Sequence, residues 1–440
     1  MTLPPELKVE LEAVTPLFLA GADPNDHAEI RAPSIKGLLR YWYRALDPDY
    51  GSHEADYFGS TTTGQSPCLL RIRAKPAAFT GQQQWEGWRD SNTENGRYHK
   101  PPFPQGSGKT STNGIVYLGY SLAMRPNDRR ALPAGTQFTL AVVPRPKCDR
   151  AQVRRAWLAA LWALVHVGGV GSRSRRGLGS LRIKSWTGWP ECSELSLPCQ
   201  AADAKTFIEN IQRAWSKLAE WFPAARPAPL LHTVLAPGAS FLLINRHPCK
   251  GSPGAAAWEE ALHQAGLHLQ KYRQRRGMGN GGDYDQVKAH LAEIHKAELG
   301  IAAGVTPALL AAGPERAGFG LPLTFRYDSL KYPHPNPPAS KPGKKVVPEI
   351  SFAGGDHDRC ASPLFIRVVQ LGNCCYPLFV HLPAPLLPAG EKIKGAEADK
   401  KNVCTIPHAA GVASVVQSFI NAHKGQGILW QIPAAKGVTP

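Results

Sequence analysis

Between residues 7 and 14 apolar and polar positions alternate, with Leu7, Val9, Leu11 and Ala13 on one side, and that period predicts a half-buried strand. From Ile35 the period lengthens. Ile35, Leu38, Leu39, Trp42, Ala45 and Leu46 recur at helical spacing and share one face, while Lys36, Arg40, Tyr43 and Arg44 fall on the other sides. Ser34, after Pro33, is the predicted N-cap of this helix. A strand is expected over 68–74, where Leu69, Leu70 and Ile72 mix with Arg71 and Arg73. Two more are expected at 115–122 and 136–143, joined across a turn with Pro126-Asn127-Asp128. Asp149 then opens a helix with Val153, Trp157, Leu161, Leu164 and Val165 inside, and Leu181 begins another strand. The order strand–helix–strand–strand–helix–strand is the split βαβ, ferredoxin-like plan.

The second half is less regular. Residues 190–204 read as a linker, and 206–222 as a helix with Phe207, Ile208, Ile211, Trp215 and Leu218 at helical spacing. A short buried strand is expected at 241–244, a helix at 258–269, a strand pair within 362–381 and a final helix at 411–423. Residues 75–113 read as a long polar insertion or flexible loop, and the Pro- and Lys-rich 331–348 as a disordered or mobile loop. The predicted class is α+β, with two tandem ferredoxin-like (RRM-like, βαββαβ) domains bearing loop insertions. The expected boundaries are residues 1–189 and 205–440, the second being a diverged copy of the first.

Length agrees with two domains, since 440 residues exceed the usual single core. Lys plus Arg number 51 against 34 acidic residues, an excess of 17 that favours a polyanionic partner. The nine cysteines include no C-x-x-C pair, so a zinc ribbon is not expected and reduced thiols are. The N-terminus lacks a signal-peptide layout, and the apolar run 156–170 is too short for a membrane span. A cytoplasmic protein with no membrane partner, cofactor or metal is therefore expected.

The charges cluster. Gly169, Gly171, Gly177 and Gly179 bracket Arg173, Arg175 and Arg176 in one loop. Successive backbone N–H groups in a glycine-rich turn form an anion-binding concavity, and guanidinium forks suit phosphate. The bland alternative is a solvated turn between helix and strand. Lys36 and Arg40, one turn apart, form a second basic feature at a helix start, where free N–H groups attract phosphate. Gly37 in that first turn implies a close approach by another backbone, or simple packing on the sheet. The loop pattern echoes at Arg275-Arg276-Gly277-Met278-Gly279, again after a helical stretch, and more loosely at Arg316-Ala317-Gly318-Phe319-Gly320.

Other candidates are weaker. Gly106-Ser107-Gly108-Lys109-Thr110 lacks the first glycine of a P-loop, since Phe103 stands there. His27, in the segment before the first helix, is the one candidate base for RNA cleavage, with His53 its only neighbour of the same kind. Asp23 and Asp26 lack the partners a metal site needs. His166 on its apolar helix reads as a core residue.

The segment 169–179 resembles the glycine-rich loop of the RAMP superfamily of CRISPR RNA-binding proteins. The stretch from Arg31 to Leu46 is similar to the first-helix motif of the first RAMP subunit in Cmr-type (type III-B) effector complexes. Tyr57-Phe58-Gly59-Ser60 resembles the phenylalanine-glycine turn that follows it, while Gly318-Phe319-Gly320-Leu321-Pro322 and Ala361-Ser362-Pro363-Leu364 resemble C-terminal landmarks. The resemblance implies a non-catalytic subunit that contacts guide RNA, target RNA and other RAMP subunits near the guide's 3′ end. The expected RNA-binding residues are Lys36, Arg40, Gly169, Gly171, Arg173, Arg175, Arg176, Gly177, Gly179, Arg275 and Arg276. The rival readings are a metal-independent guide-processing ribonuclease and a purely structural assembly subunit.

Overall fold

A computed structural model describes residues 5–21, 23, 28–74, 114–119, 122, 130–146, 148–195, 201–223, 234–251, 256–277, 283–300, 314–335, 338, 340, 343–397, 403–406 and 410–433. The chain divides into two units: residues 1–268, 364–384 and 423–440, and residues 269–363 and 385–422.

The first unit begins with β1 (Leu7–Ala13), α1 (Ala32–Leu46), α2 (Tyr50–Phe58) and β2 (Cys68–Ala74). A short α3 (Gly114–Leu118), β3 (Gln137–Pro144), α4 (Ala151–His166) and β4 (Leu181–Thr187) follow. These strands form one antiparallel sheet in the order β2-β3-β1-β4. Alternation makes β1 two-faced: Leu7, Val9 and Leu11 are buried, while Lys8 and Glu10 face outward. Next come α5 (Ala204–Trp221), whose first turn is capped where Asp203 accepts from the Thr206 N–H at 2.8 Å, and β5 (Ser240–Ile244). With β10 (Leu364–Leu371), β11 (Cys374–His381) and β14 (Gly427–Gln431), β5 makes a second sheet, β10-β11-β5-β14, also antiparallel. The helix α6 (Ala257–Gly277) follows β5 in the chain.

One apolar cluster takes in both of these sheets. It explains why α4 is buried all round from Ala156 to His166 rather than on one face. Arg367, buried on β10, donates to the carbonyls of Val165 and Leu181 and so ties the second sheet to the end of α4.

In the second unit, β6 (Leu323–Arg326), β9 (Glu349–Gly354), β12 (Ile393–Glu397) and β13 (Val403–Ile406) form a sheet in the order β13-β12-β9-β6. Val287 and Leu291 of α7 (Asp283–Ile294) share its core with Phe325, Tyr327, Ile350 and Phe352. Asp283 caps the backbone N–H groups of Glu315 and Arg316. The small elements are α8 (Lys296–Leu299), β7 (Tyr332–Pro333) and β8 (Lys345–Val346), and α9 (Ala410–His423) closes the helices.

Several expectations change. The chain is a mixed α/β protein with antiparallel sheets, as the patterning predicts, but residues 114–118 are helical, not a strand. The α1 helix starts at Ala32 with Arg31 as its N-cap residue, so Ser34 lies inside its first turn and caps nothing. Tyr43 is buried, not outward, because α2 folds back over that face and the Tyr43 hydroxyl bonds Asp47. Segment 331–348 is not a bare loop where described, since β7 and β8 pair across it. The strands β5, β10, β11 and β14 share one core with the first sheet. The insertion 75–113 and the turn at 126–128 lie outside the described residues.

Candidate functional site

The glycine loop leaves α4 and returns into β4. Gly171 and Gly179 have positive φ angles of 84° and 70°. A Cβ on Gly179 would stand 1.8 Å from the Val170 carbonyl, and one on Gly171 would stand 2.6 Å from that of Phe18. Only glycine fits such approaches. Gly169 lies beside the Gly179 carbonyl, and the Gly177 carbonyl accepts from Thr15 Oγ1 at 2.8 Å and Ser180 Oγ at 3.0 Å.

Part of the loop's backbone is used within the protein. The N–H groups of Val170, Ser172, Arg176 and Gly179 donate to the carbonyls of Gly179, Phe18, Arg173 and Pro16. At these positions the expected anion-binding concavity is closed by protein oxygens. The loop also joins the edge of the second sheet: Ile366 N–H donates to the Arg175 carbonyl at 3.1 Å, and Val368 N–H to Ser180 Oγ at 3.1 Å.

Its three arginines therefore differ. Arg173 is exposed at the tip and has a φ of 61°, the one non-glycine with positive φ among the described residues. Such a conformation is uncommon in a residue with a Cβ. Arg175 is half-buried: its guanidinium lies 4.4 Å from the Phe365 ring centroid and donates to the Tyr41 hydroxyl at 3.1 Å. Arg176 is half-buried as well, and its backbone bridges to Ile366.

Away from this loop, α1 forms one wall of a cleft of about 670 Å³, with Lys36, Gly37, Arg40, Ser60, Leu69 and Arg145 among its lining residues. Pro33 stands at the helix start, and Ile35, Leu39 and Trp42 anchor the opposite side. Trp42 packs where a Cβ on Gly168 would clash with its indole at 2.4 Å. No atom would lie within 4 Å of a Cβ on Gly37, so no protein backbone approaches it closely. Arg40 and Arg44 both bond Glu54, at 2.5 and 2.6 Å. Burial opposes the charge on Glu54, but those two arginines prevail and hold its carboxyl below the usual range. Burial lowers the Lys36 pKa, and the neighbouring charges of Arg40 and Arg145 lower it further.

Sequence reading missed Arg145. It stands just past β3, and the β2–β3 register brings it opposite Pro67, with its N–H on the Pro67 carbonyl and its Nε on that of Ser66. A basic residue immediately after a strand paired with β2 was the available signal.

The remaining candidates separate. Arg275 and Arg276 lie within the last turn of α6, so this echo is helical where residues 175 and 176 are in a turn. Arg316 stacks 4.5 Å from the Phe325 centroid, which makes the third echo a packing feature of the second unit. His53 sits 3.6 Å from Asp47 and stacks on Tyr57. His166 is buried, and desolvation together with the Arg367 charge holds its pKa well below the ordinary value. His27, Asp26 and Lys109 lie outside the described residues. Among the described residues, no three His, Cys, Asp or Glu side chains are grouped to hold a metal, and no helix is long and apolar enough to cross a membrane.

A glycine loop pinned by its own carbonyls, a basic first helix and a phenylalanine-glycine turn thus occur together within one sheet's connections. Residues 10–182 match the RAMP superfamily. This RAMP segment runs from β1 into β4 and holds the whole glycine loop, α1 and Arg145, but neither Arg275 nor Arg276. The chain resembles the first RAMP subunit of Cmr-type complexes. It is 28% identical over 183 residues to CRISPR system Cmr subunit Cmr1-1 of Pyrococcus furiosus, covering 40% of this chain and 46% of that protein. The chain thus spans about half the length of that relative. Cmr1-2 of the same organism is 26% identical over 195 residues, 40% of this chain and 93% of that protein. The likeness of fold extends further than the likeness of sequence. The crystal structure of apo Cmr1 from Pyrococcus furiosus matches 98% of this chain and 99% of its own with a TM-score of 0.51 at 16% identity.

Proposed function

We propose that this chain is a non-catalytic RNA-binding subunit of a type III-B CRISPR (Cmr) effector complex, acting in the cytoplasm in antiviral defence. Its partners are guide RNA, target RNA and other RAMP subunits, and it binds near the guide's 3′ end. The observation that carries this reading is the match of residues 10–182 to the RAMP superfamily, together with the basic residues this segment places on α1 and at the loop tip. The excess of 17 positive charges supports a polyanionic partner. Phosphate contacts by Lys36, Arg40 and Arg173 hold and position RNA without reading its bases, which leaves sequence recognition to guide–target pairing.

We read the fold as two tandem ferredoxin-like domains. The support is a shared strand order: taken in chain order, the two four-stranded sheets of the first unit run second-third-first-fourth, as β2-β3-β1-β4 and β10-β11-β5-β14. The units β6–β9 and β12–β13 are then insertions in the second copy.

The test is binding of labelled single-stranded RNA by the purified chain across a salt series, alone and reconstituted with partner RAMP subunits and guide RNA. The expected affinity falls with salt, with a slope of about 0.7 per phosphate contact. Repeat RNA incubated in EDTA is expected to stay intact. Discrete cleavage products would favour the guide-processing nuclease, and an absence of RNA binding in both settings would leave only the structural subunit.

A further inference from the structure

The cleft beside α1 gathers three cations, Lys36, Arg40 and Arg145. Among the described residues no carboxylate pairs with Lys36 or with Arg145, and Arg145 spends its Nε on the Ser66 carbonyl alone. Arg40 and Arg44 both bond the carboxylate of Glu54. Lys36, Arg40 and Arg145 line one space, and like charges held together in a half-buried cleft raise each other's cost. An anion entering there relieves the cost.

Size and walls say which anion. About 670 Å³ exceeds what a lone phosphate fills and lies in the range of organic-ligand sites. Ser60 and Thr61 place hydroxyl-bearing residues on the lining, and Pro33, Leu69 and Leu70 place apolar ones there. Leu69 is the one exposed large hydrophobic residue among the described residues, 39% accessible. Open space above Gly37 leaves the helix backbone approachable.

We propose that this cleft is a nucleotide-sized subsite on the RNA path, in which Lys36 and Arg145 grip one phosphodiester, Arg40 flanks it, and Leu69 packs against the attached base. The inference rests on the RNA-binding reading above and deepens it by adding Arg145, Leu69 and the turn after α2. A base has an apolar face and a phosphodiester has none, so the two halves of the subsite are separable by mutation.

The experiment titrates the full chain with fluorescent oligouridylate over a salt series, comparing the parent with Lys36→Gln, Arg145→Gln, Leu69→Ala and a remote control, Arg213→Gln on α5. Thermal melting runs beside each. The expected result is that Lys36→Gln and Arg145→Gln each weaken binding and flatten the salt slope, by about 0.7 in all for the one phosphodiester they share. Leu69→Ala weakens binding with the slope unchanged, and Arg213→Gln changes neither. If the parent binds RNA and both cation variants match it in affinity and slope, the subsite is wrong while the RNA-binding reading stands. If the parent binds no RNA either alone or reconstituted with partner RAMP subunits and guide RNA, that reading falls and the subsite with it. Polyglutamate competing as well as RNA of equal charge would also overturn a nucleotide site. Should Arg145→Gln melt early, 4-thiouridine crosslinking of the parent decides: adducts within residues 33–37 or 58–70 support the subsite, and their absence overturns it.

Discussion

The N–H of Ile366 donates to the carbonyl of Arg175 at 3.1 Å, and this bond fastens the glycine loop to a strand almost two hundred residues further along the chain. The next side chain back, Phe365, lies under the Arg175 guanidinium. The loop's shape is thus shared between its own glycines and the edge of the second sheet, and Arg175 is part of that joint.

This separates the loop's arginines. Arg173→Ala removes an exposed charge, so it is expected to leave stability within about 0.5 kcal/mol while reducing RNA affinity and the salt slope. Arg175→Ala removes a stacked cation and a hydrogen bond to Tyr41, and is expected to lower stability by about 1–2 kcal/mol. Urea melts and RNA titrations of the two single variants check this. Equal melting midpoints would mean that the Phe365 contact carries no weight.

Two glycines are expected to respond in opposite ways. Gly179→Ala forces a Cβ onto the Val170 carbonyl at a positive φ, and loss of soluble folded protein is expected. Gly37→Ala meets open space within a helix and is expected to raise stability by about 0.5–1 kcal/mol. Thermal melting of Gly37→Ala below the parent would show that the helix needs glycine for a reason inside the fold.

Glu54 makes a pH prediction. Burial pushes its pKa up, but Arg44 and Arg40 pull it further down, to a folded value below the ordinary 4.5. The unfolded chain therefore takes up this proton first as pH falls. The stabilisation is complete above the unfolded value and is lost as pH drops through the folded one. Glu54→Gln is expected to be less stable than the parent near neutrality, with the gap closing below about pH 4. Denaturation midpoints from pH 7 to pH 3 measure it, and a gap constant over that range would contradict the assignment.

The first helix separates binding from packing. Trp42→Ala opens a cavity beside Gly168 in the core and is expected to cost about 3–5 kcal/mol. Lys36→Ala is expected to leave the melting temperature nearly unchanged and to weaken RNA binding. Combined with Arg40→Ala it also removes one of two cations from buried Glu54, so the pair is expected to melt slightly below Lys36→Ala alone. A double variant that binds RNA like the parent would assign both cations to the fold or to a protein partner.

Local pattern alone determined much of this protein. Alternation placed β1 and β2, helical spacing placed α1, α4 and α5, and glycine spacing marked the loop, because each signal reflects a period or a backbone requirement contained within a few residues. Tertiary structure decided the rest. The all-round burial of α4 depends on β10 and β11, which lie two hundred residues away and leave no trace in the helix except a lack of polar positions. Tyr43 is buried only because α2 folds over it. Within 169–179 the N–H groups of Val170, Ser172, Arg176 and Gly179 are occupied by carbonyls from Pro16, Phe18 and the loop itself, a competition that spacing cannot reveal. Arg145 reaches the cleft only through the register of β2 with β3, in which Cys68 stands opposite Pro144. Charge composition made a polyanionic partner an expectation, but the bonding of Arg40 and Arg44 to Glu54, the stacking of Arg175 and the lack of a carboxylate beside Lys36 among the described residues are properties of neighbours in space that composition does not carry.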